Sequence, residues 1–197
     1  MSEETAGFSK GRLEAFSDGV IAVIITLMVL DLKAPEDASL AALARVLPAF
    51  LAYVISFVFA ALYWINHHNL VARARRVTIQ LLWANILLLF CLSLFPFATA
   101  YMASTRASVN ATALYGTVQL ACGVSFMLIG ELIAKQNSED AAFIATRRAL
   151  QTKDRVSTAL YVLAIPAAFV SPYLSIAIFV VIAAIYASPD FLVARAR

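Results

Sequence analysis

Long apolar runs alternate along this chain with short polar stretches that are rich in charge or contain proline. Most of the runs are close to the length of about 20 residues that a helix needs to cross the hydrocarbon thickness of a bilayer. The pattern therefore predicts an all-α, polytopic membrane protein. Its single domain, residues 1–197, is expected to hold six transmembrane helices, at about 12–32, 48–70, 79–103, 111–134, 156–170 and 173–186.

Prolines and one long polar segment set the expected helix boundaries. Pro48 suits the first turn of helix 2, where a missing backbone N–H costs nothing. Pro96 lies inside helix 3 and is expected to bend or break it. The segment KQNSEDAAFIATRRALQTKDR separates helices 4 and 5 and has room for an amphipathic helical turn. We therefore expect one bent helix among the six and one substantial polar connection.

The composition supports a membrane protein rather than a soluble one. Hydrophobic residues make up 62% of the chain, charged residues 14%, and the mean hydropathy is +0.85. Soluble domains are about 45–50% apolar and about 25% charged. The net charge of +3 and pI near 9.0 are explained by membrane topology, so no nucleic-acid partner is predicted.

The distribution of basic residues predicts the orientation in the membrane. Cytoplasmic loops carry an excess of Lys and Arg. Three basic residues fall in one set of loops, namely Lys33, Arg45 and Arg106. With six spans, both termini lie on the same side of the membrane as the other twelve basic residues. This predicts a multi-pass protein of the cytoplasmic membrane with both termini in the cytoplasm. These twelve are Lys10, Arg12, Arg73, Arg75, Arg76, Lys135, Arg147, Arg148, Lys153, Arg155, Arg195 and Arg197.

The first helix, GRLEAFSDGVIAVIITLMVLDL, has two different faces. At about 100° per residue, Val23, Leu27 and Leu30 fall within roughly 60° of one another. Thr26 lies at the edge of this aliphatic stripe, and Asp18 lies roughly 140° away from it by the same arithmetic. A carboxylate at this depth needs a polar partner. The stripe itself fits a lipid-facing or helix-packing surface, which is common in membrane helices.

The end of helix 2 concentrates aromatic and imidazole side chains on the predicted cytoplasmic side. One interpretation is an ordinary aromatic belt at the membrane interface. The other is that Trp64, His67 or His68 hydrogen-bonds the Ser17–Asp18 region of helix 1. Adjacent histidines point about 100° apart on a helix. Because no third ligand lies near them in the sequence, no metal site is predicted.

The residues alone leave three functions open: a channel, a membrane enzyme, and a proton-coupled secondary transporter that titrates Asp18 and a helix 2 histidine. Ser17 and Asp18 are adjacent, so they cannot form a Ser–His–Asp relay by themselves. No GxSxG, GxxxxGK[ST] or TVGYG motif is present. We therefore predict neither an enzyme nor a bound cofactor.

Helix 4 carries a stripe of small residues. Gly116, Gly123 and Gly130 are spaced by seven, so they share one face and permit close helix packing. Glu131 follows the last of them near the cytoplasmic end. We expect its carboxylate to pair with a basic residue of the following connection or to reach the interface.

Helix 1 resembles one known family. The residues RLEAFSD, at 12–18, fit the RxxxFSD signature of the transmembrane protein 175 family of potassium channels, found in lysosomes and prokaryotes. Trp64 followed by the pair His67 and His68 is similar to the family's second helix. Six spans in about 200 residues resemble the single-repeat prokaryotic members.

This resemblance implies a homotetrameric, potassium-selective or potassium-preferring cation channel whose pore is lined by helix 1. It implies that Val23, Leu27 and Leu30 form a hydrophobic constriction that potassium ions cross without a permanent metal site. Thr26 falls where some members place a polar pore residue. The resemblance also implies that a set of signature residues braces helix 1 against its neighbours, namely Arg12, Phe16, Ser17, Asp18, Trp64, His67 and His68.

Overall fold

The described part of the chain consists of helices joined by turns and short connections. The computed structural model describes residues 8–35 and 37–187, and within them the only strand-like feature is an isolated antiparallel bridge between Phe8 and Val77. The predicted all-α class is confirmed. The helices are α1 (Lys10–Leu30), α2 (Leu40–Val71), α3 (Ile79–Ser93), α4 (Phe95–Ser104), α5 (Val109–Gln136), α6 (Ala141–Val170) and α7 (Pro172–Ala187).

Several of these helices match the thickness of a membrane. Among the described residues, four segments are long and apolar enough to cross it: α1, α2, α5, and α3 together with α4. Helix α7 is apolar but has 16 residues, and the first half of α6 carries several charges. The chain is therefore a multi-pass membrane protein, and the number of six spans remains a prediction.

The expected break near Pro96 is present. Helix α3 ends at Ser93, Leu94 separates the two helices, and α4 begins at Phe95 with Pro96 in its first turn. Proline lacks a backbone N–H and its ring collides with the carbonyl four residues earlier, here that of Leu92. The chain satisfies this restriction by starting a new helix in which proline occupies a favourable position.

Helix α2 begins eight residues before the start predicted from Pro48. Its N-cap is Ser39, whose hydroxyl accepts a hydrogen bond from the backbone N–H of Ala42 at 3.1 Å. Pro48 instead lies inside the helix. The prediction was wrong because a serine cap followed by alanine and leucine starts a helix in the polar connection, and these residues then extend the apolar run.

Helix α6 also begins earlier than predicted, at Ala141 rather than near Val156. Asp140 caps it by accepting a hydrogen bond from the backbone N–H of Phe143 at 2.9 Å. Most of the polar segment between the fourth and fifth apolar runs is therefore helix. We predicted a loop for most of this segment because it is polar. The sequence does not show which residues neutralise its charges inside the protein.

Those residues lie within α6 itself and on α5 and α7. Arg147 and Asp154 are both buried, and Nη1 of the guanidinium donates to Oδ2 of the carboxylate at 2.9 Å. Tyr186 donates its hydroxyl proton to the other oxygen of Asp154 at 3.1 Å. Glu131 lies 3.6 Å from Arg147, which agrees with its expected pairing. Burying charge is tolerated here because the buried guanidinium and carboxylate are paired with each other.

The glycine stripe of α5 faces α6 and α7. A Cβ added at Gly116 would lie 3.2 Å from the side chains of Ile165 and Phe179. A Cβ at Gly130 would collide with the guanidinium of Arg147. The predicted role in close helix packing is therefore observed, and at Gly130 it makes room for a buried charge.

Candidate ion pathway and the contacts at its base

Helix α1 is buried along one side only. The buried positions follow spacings of three and four, which place them on one face of a helix. This face packs against α2, α3 and α4. Its residues are Leu13, Ser17, Ile21, Ile24 and Met28.

The opposite face of α1 is aliphatic and uncovered within one subunit. Val23, Leu27 and Leu30 are 55%, 46% and 74% exposed. Thr26 is also exposed, and its hydroxyl donates to the backbone carbonyl of Val23 at 2.9 Å. Phe16 extends the uncovered face toward the start of the helix. In a bilayer such a face can contact lipid or further copies of the chain.

Asp18 is held by the end of α2. The indole Nε1 of Trp64 donates to Oδ1 of Asp18 at 2.8 Å. The imidazole of His68 stacks on the same indole, with ring centroids 6.2 Å apart. A hydrogen bond to a carboxylate is stronger than one between neutral groups. This contact therefore fixes the charged side of α1 against α2.

A second contact joins three helices at the same level. Nδ2 of Asn85, on α3, donates to Oγ of Ser17 on α1 at 2.9 Å. Oδ1 of Asn85 lies 2.7 Å from Nε2 of His67 on α2. Because this amide oxygen only accepts, the imidazole donates from Nε2. Ser17 in turn donates to the carbonyl of Leu13 at 2.9 Å, and all three side chains of this link are buried.

Asn85 was not singled out from the sequence. It lies in the apolar run IQLLWANILLLFCLS, where it is the one side-chain amide besides Gln80 near the start. An isolated amide inside such a run is a usable signal, because a polar group at membrane depth needs an internal partner. The sequence does not identify that partner.

Asp18 and His67 do not contact each other through a hydrogen bond. Asp18 bonds Trp64, whereas His67 bonds Asn85. The transporter alternative required Asp18 and a helix 2 histidine; of the two histidines, His67 lies in a separate contact from Asp18, and His68 stacks on the indole that bonds Asp18. Within residues 8–35 and 37–187, no three His, Cys, Asp or Glu side chains converge to hold a metal ion.

Arg12 lies at the start of the uncovered face. Its side chain is exposed and makes no hydrogen bond or ion pair with the described residues of the same subunit. Lys10, two residues earlier, instead donates from Nζ to the carbonyl of Ala72 in the turn after α2. The start of α1 is therefore tied to that turn, while Arg12 points elsewhere.

Comparison with known proteins places this geometry in a family. The family model described as "Endosomal/lysosomal potassium channel TMEM175" matches residues 12–96. A potassium channel of Chryseobacterium sp. (strain P1-3) is 40% identical over 184 residues, which cover 92% of this chain and 94% of that one. The chain belongs to the TMEM175 family. Members of this family are ion channels and not enzymes.

Further relatives extend the likeness over nearly the whole TMEM175 fold. A potassium channel of Streptomyces collinus is 34% identical over 182 residues, which cover 85% of this chain and 86% of that one. The crystal structure of a lysosomal potassium-selective channel TMEM175 homolog from Chamaesiphon minutus superposes with a TM-score of 0.79. It is 30% identical, over 90% of this chain and 96% of that one.

Members that match a smaller part of this chain include proteins named as proton channels. The mouse protein named endosomal/lysosomal proton channel TMEM175 is 39% identical over 105 residues, which cover 47% of this chain and 21% of that one. Membership in a family of ion channels excludes the enzyme interpretation and favours a channel over a transporter.

Proposed function

We propose that this protein is a homotetrameric, potassium-selective or potassium-preferring channel of the cell membrane, with α1 of each subunit around a central pore. The observation that carries the proposal is the uncovered aliphatic face of α1 opposite its buried face. The names of the Chryseobacterium and Streptomyces relatives, both potassium channels, support the choice of ion.

The constriction follows from repeating this face around an axis. Four copies of Val23, Leu27 and Leu30 form stacked aliphatic rings, separated along the helix by about 6 Å and about 4.5 Å at a rise of 1.5 Å per residue. Rings of this kind close a pore by expelling water. Thr26, exposed beside them, adds a hydroxyl to the same face.

The proposed bracing keeps this face turned toward the axis. The Trp64–Asp18 contact and the Ser17–Asn85–His67 link hold α1 from two directions. We assign a supporting role to the remaining signature residues as well. These are Arg12 and Phe16 at the start of α1 and His68, which stacks on Trp64.

The proposed topology has six spans and both termini in the cytoplasm. Three of the basic segments that this topology places in the cytoplasm contact one another. Lys10 donates to the carbonyl of Ala72, and Arg75 donates to Asn137 at the end of α5. These contacts support a location on the same side of the membrane for the start of α1, the α2–α3 turn and the end of α5. Arg195 and Arg197, which the prediction also puts inside, lie outside the described residues.

Flux through purified protein tests the function. Proteoliposomes loaded with potassium should release it down its gradient, faster than matched vesicles release sodium. Empty vesicles prepared from the same lipid give the background rate. The oligomeric state should be measured by native mass spectrometry on the same preparation. Absence of flux, or flux carried by a monomer, would contradict the proposal.

A further inference from the structure

The turn between α2 and α3, residues 72–78, is strongly basic. It carries Arg73, Arg75 and Arg76 and no acidic residue. Helix α2 ends at Val71 and α3 begins at Ile79, and both belong to membrane-spanning segments. The turn therefore lies at the boundary between membrane and water, at the depth of the lipid phosphate groups.

The backbone of this turn converges on one oxygen. The N–H groups of Arg75 and Arg76 both donate to Oε1 of Gln136, at 3.1 and 3.2 Å. Two successive N–H groups aimed at one point form a concave site that attracts anions. A neutral amide oxygen occupies it here, although a phosphate oxygen makes the stronger, charge-assisted bond.

The surrounding side chains add positive charge. Arg76 and Lys135 are exposed, and Arg75 uses Nε to bond Oδ1 of Asn137 at 2.9 Å, which leaves its terminal nitrogens for another acceptor. The acidic residues next in the chain are Glu139, which is exposed, and Asp140, whose side chain caps α6. Among the described residues, these cations outnumber the acids around the turn.

We propose that this turn is a binding site for the phosphate group of an anionic phospholipid headgroup, and that Oε1 of Gln136 stands where a phosphate oxygen binds. The depth of the turn selects a lipid over a soluble phosphate. Basic residues next to a membrane span attract anionic lipids. The phosphate bonds the N–H groups of Arg75 and Arg76 and the guanidinium of either side chain.

Lipid-dependent thermal unfolding of the full-length protein tests this site. The protein is purified in a neutral detergent and titrated with phosphatidylglycerol or with phosphatidylcholine. Phosphatidylglycerol should raise the unfolding temperature, and the double variant Arg75→Gln/Arg76→Gln should bind it roughly 30-fold more weakly. The control Arg45→Gln/Arg106→Gln removes two exposed arginines elsewhere and should leave the affinity unchanged. An unchanged affinity in the Arg75/Arg76 variant overturns the proposal.

Variants of Gln136 test the proposed phospholipid site if the double variant does not fold. Gln136→Glu supplies its own carboxylate to the N–H groups and should weaken phosphatidylglycerol binding. Gln136→Ala vacates the position and should bind at least as tightly as wild type. Unchanged binding in Gln136→Glu overturns the proposal. Inorganic phosphate that stabilises the protein as well as the lipid does would assign the site to free phosphate and overturn the lipid assignment.

Discussion

The two ends of α1 are held in different ways. Its first third makes hydrogen bonds to two neighbouring helices, through Asp18 to Trp64 and through Ser17 to Asn85. The rest of the helix is held by apolar packing of Ile21, Ile24 and Met28 on one side. Its other side is bare aliphatic surface.

The hydrogen bonds of the first third and the side chains of the exposed face therefore have different roles in α1. Hydrogen bonds are directional, so two of them on different sides of α1 fix its rotation and its depth. Dispersion contacts are numerous but much less directional. Once the first third of α1 has set the rotation of the helix, the residues on the exposed face are free for the ion path that we propose. Four substitutions test this division, and they follow in order of their expected effect on stability.

Asn85→Ala should cause the largest loss of stability. It leaves Nε2 of His67 without its acceptor, removes the hydrogen bond that Ser17 accepts, and empties part of a buried position; Ser17 still donates to Leu13. The combined cost is about 2–6 kcal/mol. Thermal unfolding of the purified protein measures this. Asn69→Ala, at an exposed position on α2, is the control and should change little. Equal stability of the two variants would show that the three-helix link does not stabilise the fold.

Ile24→Ala should come next, because it empties a buried position in the apolar part of α1. Truncations of this kind cost about 2–5 kcal/mol. Val29→Ala removes methyl groups from an exposed side of the same helix and serves as the control. The same unfolding measurement applies. A loss as large in Val29→Ala would show that the exposed surface of α1 is covered in the assembly at that position.

Asp18→Asn should have a smaller effect, of about 1 kcal/mol or less, because the carboxylate is exposed and Trp64 can still donate to the amide oxygen. We expect weaker assembly or lower stability, with the preference for potassium over sodium unchanged. Native mass spectrometry and paired flux measurements separate the two. Asp31→Asn, at the exposed end of α1, is the charge-matched control. An altered ion preference with normal stability would place Asp18 in the ion path.

Leu27→Ala should have the smallest effect on stability, within about 0.5 kcal/mol, because its side chain lies on the exposed face of α1 rather than in the core of the subunit. Flux or ion selectivity should nevertheless change, since in the proposed tetramer a ring of four leucines becomes a ring of four alanines. Val29→Ala is equally exposed but points to another side of α1, so it should alter neither. Unchanged flux in Leu27→Ala would assign that residue to a lipid or packing surface.

Helix positions could be predicted from the sequence where apolar runs and helices coincide. Residues 79–103 were predicted as one bent helix, and the structure has α3 and α4 over Ile79–Ser104 with a break before Pro96. The starts of α2 and α6 were missed. Both begin at a polar cap, Ser39 or Asp140, inside a stretch whose composition resembles a loop.

The sequence by itself determined that the protein is an all-α membrane protein, which face of α1 is aliphatic and that Asp18 lies off that face. Only the tertiary structure decided that Asn85 joins Ser17 to His67 and that Arg147 and Asp154, neighbours on one face of α6, are buried against α5 and α7. Helical periodicity fixes relations between residues a few positions apart. Ser17 and Asn85 are 68 positions apart, so their contact depends on how α1 and α3 pack together.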